Sequence, residues 1–592
     1  MRWPRFLPLL LLAVAADLLG ADSLRYRIAI ISWAEKTQSS RNLEELAARR
    51  ALQAMGIPYD LVPVSKLQSR YPLAILPGPL YNHSLSPVER EAVHAFVSSG
   101  GLLLATQVEG SDYFPLFGIS SALPRRDRFR VRFLSDVEDG WLRYLDHPKE
   151  REISLGDPKL FNETIWTVGY QSRYGRPLAK YPDGKAAAVV NDYDSGQALA
   201  LGFSLTQTVL LAHVVSTFEA GRQWVNSFEP SGDAILLLMK GIYENTADCA
   251  LSWHTVPRGL ETSIVLSHDV DAQESFGNTV AYAQLEKHYG VQSTFFINTK
   301  TLTDESDIGY YDAARIPFLI EIRQLGFELG SHSVSHSKKF NKFPMGTALI
   351  TAATYQPAKS PTVLGEVKVS KELLDRDLPR QKTVSFRAGE LRYPPRLIEA
   401  LELSGYQYDS TASANNIITN FPFFAFAGTH LGARETAIVE IPVTLDDSLG
   451  FLTPERQDAV VQAWCEVIEA NRANGATTCI LIHPTNTTYK LAVLKRLLER
   501  YAKQDVWIGS IAQLGDFWTR RATVEFRAET TGDTLVLHLN QEMEKLSGDL
   551  SIVVSGNKGS SRFQVLDSSG KTVPYHLLER SGKKLLLLSP KK

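Results

Sequence analysis

The sequence predicts an α/β protein of successive folded units with a (β/α) barrel at its centre. Short apolar runs alternate with helix-like stretches over residues 24–250 and again over 258–520, the order of a parallel sheet with crossover helices. About seven such strand–helix repeats fall within 258–520, which fits a closed barrel better than an open sheet. From residue 521 the pattern changes to short strands separated by turn signals, predicting a small β unit, a sandwich, over 521–592.

Taken in order, the chain starts with Arg2 and Arg5, an apolar run over 6–16 and small residues up to Ala21. That is the pattern of an export signal over 1–22, too short in its apolar part to span a bilayer. The protein is therefore expected outside the cytoplasm: periplasmic, in the cell envelope or extracellular. No later segment approaches a membrane span.

In the first unit, 27–31, 59–64, 73–76 and 102–105 read as strands, and 42–55 as a helix ended by Gly56. Ser86-Pro87-Val88-Glu89 opens a further helix: serine caps it, proline takes the first turn and glutamate closes a capping box. Arg126, Arg128, Arg130 and Arg132 alternate with Asp127, Phe129, Val131 and Phe133. At strand period these arginines would share one face, as on an edge strand guarded by charge. In the second unit, strands are expected at 263–267, 293–297, 328–330, 384–386, 439–442, 479–482 and 506–508, with helices at 279–288 and 316–325. The last unit carries strands at 525–528, 534–539, 550–554, 563–566 and 584–588.

Composition narrows the function classes. The 592 residues are 44% hydrophobic and 22% charged, with a formal charge of -2. A nucleic-acid binder would show a basic excess. Cys249, Cys465 and Cys479 are too few and too scattered for a disulfide framework or a zinc-finger site.

The chemistry-bearing residues lie in four fragments: Ser267-His268-Asp269-Val270-Asp271, Ser331-His332-Ser333-Val334-Ser335-His336, Phe386-Arg387-Ala388-Gly389-Glu390, and Ile480-Leu481-Ile482-His483-Pro484. Each follows a predicted strand, where barrels carry their active residues. In extended chain Asp269 and Asp271 point the same way, so both can reach one cavity. The imidazoles of His332 and His336 suit divalent transition ions, and one aspartate completes an open, catalytic ligand set. The other aspartate stays free as a base. This is the inventory of a mononuclear metal hydrolase. His268 reads as a packing residue rather than a ligand.

Residues 262–520 resemble the polysaccharide deacetylase family, a carbohydrate esterase group. Phe327 to His336 is similar to its second motif, Phe386-Arg387-Ala388-Gly389 to its third, and Leu481-Ile482-His483-Pro484 to its last. The first motif departs from the common form: His268 takes the aromatic place and Val270 separates the acids, as in an Asp-x-Asp subset. The resemblance implies a distorted (β/α) barrel that removes N-acetyl groups from an acetylated polysaccharide or oligosaccharide. It implies one divalent ion, Zn2+ with Co2+ or Ni2+ as alternatives, on Asp271, His332 and His336. It makes Asp269 the general base, Arg387 its holder and His483 the general acid. The Asp-x-Asp departure leaves the roles of Asp269 and Asp271 open to exchange. The family's aspartate and tryptophan that tune the acid are not recognisable, and Asp446 and Asp447 are the nearest candidates. Two other readings stay open: hydrolysis of a non-sugar C–N amide, as in Asp-x-Asp relatives, and a catalytically silent glycan-binding protein.

Residues 24–250 resemble the flavodoxin-like, class I glutamine-amidotransferase-like fold, in Ala74-Ile75-Leu76-Pro77-Gly78 and Ser98-Ser99-Gly100-Gly101. Active members carry a cysteine after such a strand. Here Leu104-Ala105-Thr106-Gln107-Val108 stands there, and the first cysteine of the chain is Cys249. The resemblance thus implies a non-catalytic unit.

Overall fold

A computed structural model describes residues 21–33, 39–134, 140–156, 165–215, 225–303, 309–448, 450–556, 562–580 and 582–589. Residues 1–20, with the apolar run of the expected export signal, lie outside them. Among the described residues no helix is long and apolar enough to cross a membrane.

The first unit is built on an 11-stranded sheet. Tyr59–Val62, Ile28–Ile31, Leu73–Leu76, Leu102–Thr106 and Gly196–Leu201 pair in parallel. The sequence pattern predicts four of these five strands and misses Gly196–Leu201. Beyond it, Arg176–Lys180, Ala186–Tyr193 and Gly196–Leu201 pair antiparallel. The turns between them are too short for a crossover helix, so the direction must reverse. The helix Pro87–Ser98 carries its capping box: the Glu89 N–H donates to Ser86 Oγ at 3.3 Å and the Ser86 N–H to Glu89 Oε2 at 2.7 Å.

At the end of Leu102–Thr106, Gln107 takes a left-handed backbone, φ 49°, and its amide donates to the Trp166 carbonyl at 2.5 Å.

The arginine run does not form one strand face. Ile119–Arg125 ends before it and Arg130–Phe133 begins within it. Arg128, in the break, is buried and donates to Asp183 at 2.8 and 2.9 Å. Arg130–Phe133 is an inner strand, paired on both sides, so the expected edge is absent there. Arg130, Arg132, Glu152 and Lys180 line a cavity of about 430 Å³ that includes none of the predicted site residues.

The second unit is built on a 10-stranded sheet, parallel except for Phe423–Ala427, which pairs antiparallel with Arg434–Glu440. Thr262–Val270, buried at every position, pairs with Thr294–Ile297 on one side and Thr477–Leu481 on the other. Such burial is what a strand covered on both faces requires. The ladder continues through Glu328–Ser331, Ser385–Phe386 and Tyr408–Asp409 to Arg434–Glu440. That chain passes Ile441-Pro442 and continues as Val443–Asp446, which pairs with Thr477–Leu481 and brings the ladder back to its start. Proline lacks the N–H a continuous ladder needs, which accounts for the break between the two half-strands.

The C-terminal residues form two sheets. Phe526–Thr531, Thr534–Leu539 and Arg562–Leu566 make one. Ser551–Ser555, Lys583–Leu588 and Tyr575–Arg580 belong to the other, together with Ala250–Trp253 from ahead of the barrel. One apolar cluster runs from Ile28 and Leu237 through Phe296 and Ile441 to Leu537 and Leu586. The units therefore share a core.

Candidate active site

The strand Thr262–Val270 carries Asp269 near its end, 2% exposed, and delivers Asp271 just beyond it. The Tyr310 hydroxyl donates to the Asp271 carbonyl at 2.6 Å and fixes that exit. After Glu328–Ser331 the chain turns sharply, with Ser333 at φ 63° and His336 at φ 54°. Such backbone is costly and persists only where neighbours enforce it. Here the Asn298 amide donates to the carbonyls of His332 and Ser333 at 2.9 and 3.1 Å. The buried Glu366 carboxylate accepts the N–H groups of Val334 and Ser335 at 2.9 and 2.7 Å. The turn brings His332 and His336 to one side, their ring centres 5.1 Å apart.

His332 Nδ1 lies 2.9 Å from the Arg387 carbonyl. A carbonyl only accepts, so Nδ1 carries the proton and Nε2 presents its lone pair. That Nε2 is buried with no hydrogen-bond partner among the described residues. Donor atoms of Asp271, His332 and His336 all lie within 4.8 Å of one another, with His336 Nε2 3.4 Å from Asp271 Oδ2. An orphaned imidazole nitrogen beside a carboxylate and a second imidazole is the donor set a divalent transition ion requires.

Arg387 is fully buried, lies over the Phe296 ring and donates to Asp269 Oδ1 at 2.8 Å. Its other nitrogens donate to the Ser410 carbonyl at 3.0 Å and to Ser410 Oγ at 2.9 Å. Asp269 Oδ2 faces His332 Nε2 at 3.6 Å. His483 follows Thr477–Leu481, with its Nε2 3.6 Å from Asp271 Oδ2. Its Nδ1 meets Asp447 Oδ1 at 2.6 Å, and Lys490 Nζ holds Asp447 Oδ2 at 2.8 Å.

The electrostatics sort these groups. Burial pushes the Asp269 carboxyl up, but Arg387 and then His332 outweigh it and hold it below the ordinary carboxylate value. Burial acts likewise on Asp271, and His483 and His336 reverse it. Burial drives His332 down to about 4, leaving the neutral imidazole a ligand must be. For His483 burial also acts downward, but Asp447 and Asp271 overcome it and raise the ring to about 10. The site therefore combines an ionised buried carboxylate with a protonated imidazole.

All six sequence-predicted residues, Asp269, Asp271, His332, His336, Arg387 and His483, meet here. His268 lies apart from the donor set: its nitrogens face the Ile482 carbonyl at 3.1 Å and Glu286 at 2.8 Å, and it stacks on Phe295. Asp446, Asp447 and His483 also bring donor atoms within 4.8 Å of one another. The oxygens of Asp447 are already engaged by His483 and Lys490, and Asp446 accepts from the Ser448 N–H and hydroxyl at 2.8 and 2.9 Å, so this second group is a hydrogen-bond network. The sequence offered Asp447 only as one of two candidates, beside Asp446, and did not single out Lys490. Asp447 follows the strand Val443–Asp446 as the other reactive residues follow theirs, and that position was the available signal.

No protein-family model matches the chain, and no curated protein matches it. Solved structures are similar to part of it. One is a Mycobacterium smegmatis protein described as a polysaccharide deacetylase, 18% identical over 44% of this chain and 90% of that one, with a TM-score of 0.34. Another is the CE4 domain of a multidomain xylanase from the hindgut metagenome of Trinervitermes trinervoides, 13% identical over 43% and 90% of the two chains, TM-score 0.26. A third is a CE4-family pseudoenzyme from Bacillus anthracis, 16% identical over 44% and 66%, TM-score 0.26.

Proposed function

We propose that the chain is an exported, metal-dependent deacetylase that removes N-acetyl groups from a polysaccharide. One observation carries this reading: a carboxylate held by Arg387 and an imidazole held by Asp447 both approach, to 3.6 Å, the donor set of Asp271, His332 and His336. A binding protein needs no acid and base on either flank of its ligands. Export rests on the segment 1–22.

Asp271, His332 and His336 hold the ion, with Zn2+ favoured and Co2+ or Ni2+ accommodated by the same donors. Such an ion, when bound, makes water more acidic and polarises an acyl oxygen. The Asp269 carboxylate takes the proton from the water that attacks the acetamide carbon, forming the new C–O bond. Arg387 keeps Asp269 ionised and aimed, through a charge-assisted bond at 2.8 Å. His483 gives its proton to the sugar nitrogen as the C–N bond breaks. Acetate and a free amine leave. Asp447 then holds the ring for the next cycle.

The test is acetate release from acetylated glucosamine and galactosamine oligomers by the purified protein. Release that stops with a chelator and returns with zinc supports the reading. No release from any acetylated sugar, despite one tightly bound ion per chain, overturns it in favour of a non-sugar amide or a binding role.

A further inference from the structure

We infer that Asn226, contributed by the first unit, is a positioning residue for the general acid of the barrel. The inference rests on the deacetylase reading above. Among the described residues, the strand Val443–Asp446 pairs with a strand, Thr477–Leu481, along one side only. On its other side Val443 still reaches the Ala412 carbonyl, at 2.8 Å. Beyond that point the neighbouring chain has turned into the helix Ala414–Ile417. Asp446, which shows both its backbone groups to that side, meets no strand of the described residues there.

Asn226 takes the strand's place. Its backbone N–H donates to the Thr444 carbonyl at 2.9 Å. Its side-chain amide donates to the Asp446 carbonyl at 2.7 Å, and its Oδ1 accepts the Asp446 N–H at 2.9 Å. The same Oδ1 accepts the indole N–H of the buried Trp464 at 3.0 Å. One asparagine side chain thus satisfies both backbone groups of Asp446 and is itself fixed from the helix Gln457–Asn474. Buried backbone groups left without such partners are costly.

Two further observations show a built contact. Asn226 sits at φ 63°, a left-handed conformation that asparagine accepts better than most residues. The residues after it are tied down: Asn415 Nδ2 donates to Ser227 Oγ at 3.0 Å, and Lys149 Nζ to the Phe228 carbonyl at 2.7 Å. The clamp is one peptide bond from Asp447, whose carboxylate sets His483. A displacement of Asp446 carries Asp447 with it, and then the imidazole.

The test separates proton delivery from general damage. An amide nitrogen leaves only when protonated, whereas 4-nitrophenolate leaves an acetate ester without a proton. Asn226→Ala should cut kcat/KM on the acetylated oligosaccharide by about 100-fold, the scale of a misplaced catalytic group. The loss on 4-nitrophenyl acetate should be much smaller, with zinc content unchanged. His483→Ala should show the same split. Asn226→Asp keeps the acceptor but loses the donor, and should fall between, which covers the case in which the alanine variant does not fold. Equal losses on both substrates, or none on the amide, would overturn the inference while leaving the deacetylase reading in place. Wild-type protein that releases acetate from neither substrate with zinc present overturns that reading, and the inference with it.

Discussion

His483 and Asp447 are joined twice, through the ring Nδ1 at 2.6 Å from Oδ1 and through the His483 backbone N–H, 3.1 and 3.2 Å from the two carboxylate oxygens. Ring and main chain are gripped by the same side chain, so Asp447 governs both the direction and the charge of the imidazole.

Asp447→Asn therefore tests the acid. Burial alone lowers the ring, and Asp447 is the largest of the influences that raise it to about 10. A raised imidazole stays protonated until pH climbs through its folded value, so activity should fail on the alkaline side. An ion held by Asp271 would remove part of that carboxylate's influence, so in metal-loaded protein the limb would lie below 10. The substitution should move the limb to lower pH and reduce kcat on N-acetyl substrates by about 100-fold. A pH–rate profile of both proteins checks it; an unmoved limb contradicts the assignment.

The two aspartates should separate by readout. Asp271→Ala is expected to lose the ion, measured by elemental analysis of purified protein. Asp269→Asn should keep the ion and lose turnover by about 10²–10⁴-fold. The opposite pattern would exchange their roles.

Arg387→Ala leaves the Asp269 carboxylate buried without its cation. Removing one partner of a buried pair costs about 3–5 kcal/mol, which denaturant unfolding would read. A loss below about 1 kcal/mol would show that Asp269 takes up a proton instead.

A side chain at Gly389 would collide with His336, one of the proposed ligands, since a Cβ there falls 2.7 Å from its Cδ2. Gly389→Ala should displace that ring and weaken zinc binding by about 10–100-fold. Competitive chelator titration measures it.

Asp409 and Glu440 stand in register on adjacent strands, both fully buried. Burial raises Asp409 to about 6, and burial with Asp409 beside it drives Glu440 higher. Acids raised in the folded state stabilise it below their ordinary values, and that stability is lost as pH rises through the folded ones. Melting temperature should fall between pH 5 and pH 8, and Glu440→Gln should flatten the slope.

Much of the barrel was legible because its strands are apolar runs ending in reactive residues. Thr262–Val270 and Thr477–Leu481 are of this kind, and the residues that follow them reach the site. Tyr408–Asp409 was not legible, because two residues carry no periodicity. Neither was the choice between Asp446 and Asp447: neighbours on extended chain face opposite ways, and only the fold shows which one turns toward His483. Asn226 acts on a residue 220 positions away, and nothing local marks it. In the first unit the arginine alternation looked like one strand, but a break at Arg128 follows from its buried pairing with Asp183.

The strand Ala250–Trp253 has a temporal consequence. It is synthesised before the barrel, while its partner Ser551–Ser555 comes after it. Until Ser551–Ser555 is made, a strand buried at all of its positions in the finished protein lacks its partner. Unpaired edges are where chains pair with the wrong neighbour. The growing protein thus carries an aggregation hazard through the whole synthesis of its barrel, and truncation between the barrel and Ser551–Ser555 would make that hazard permanent.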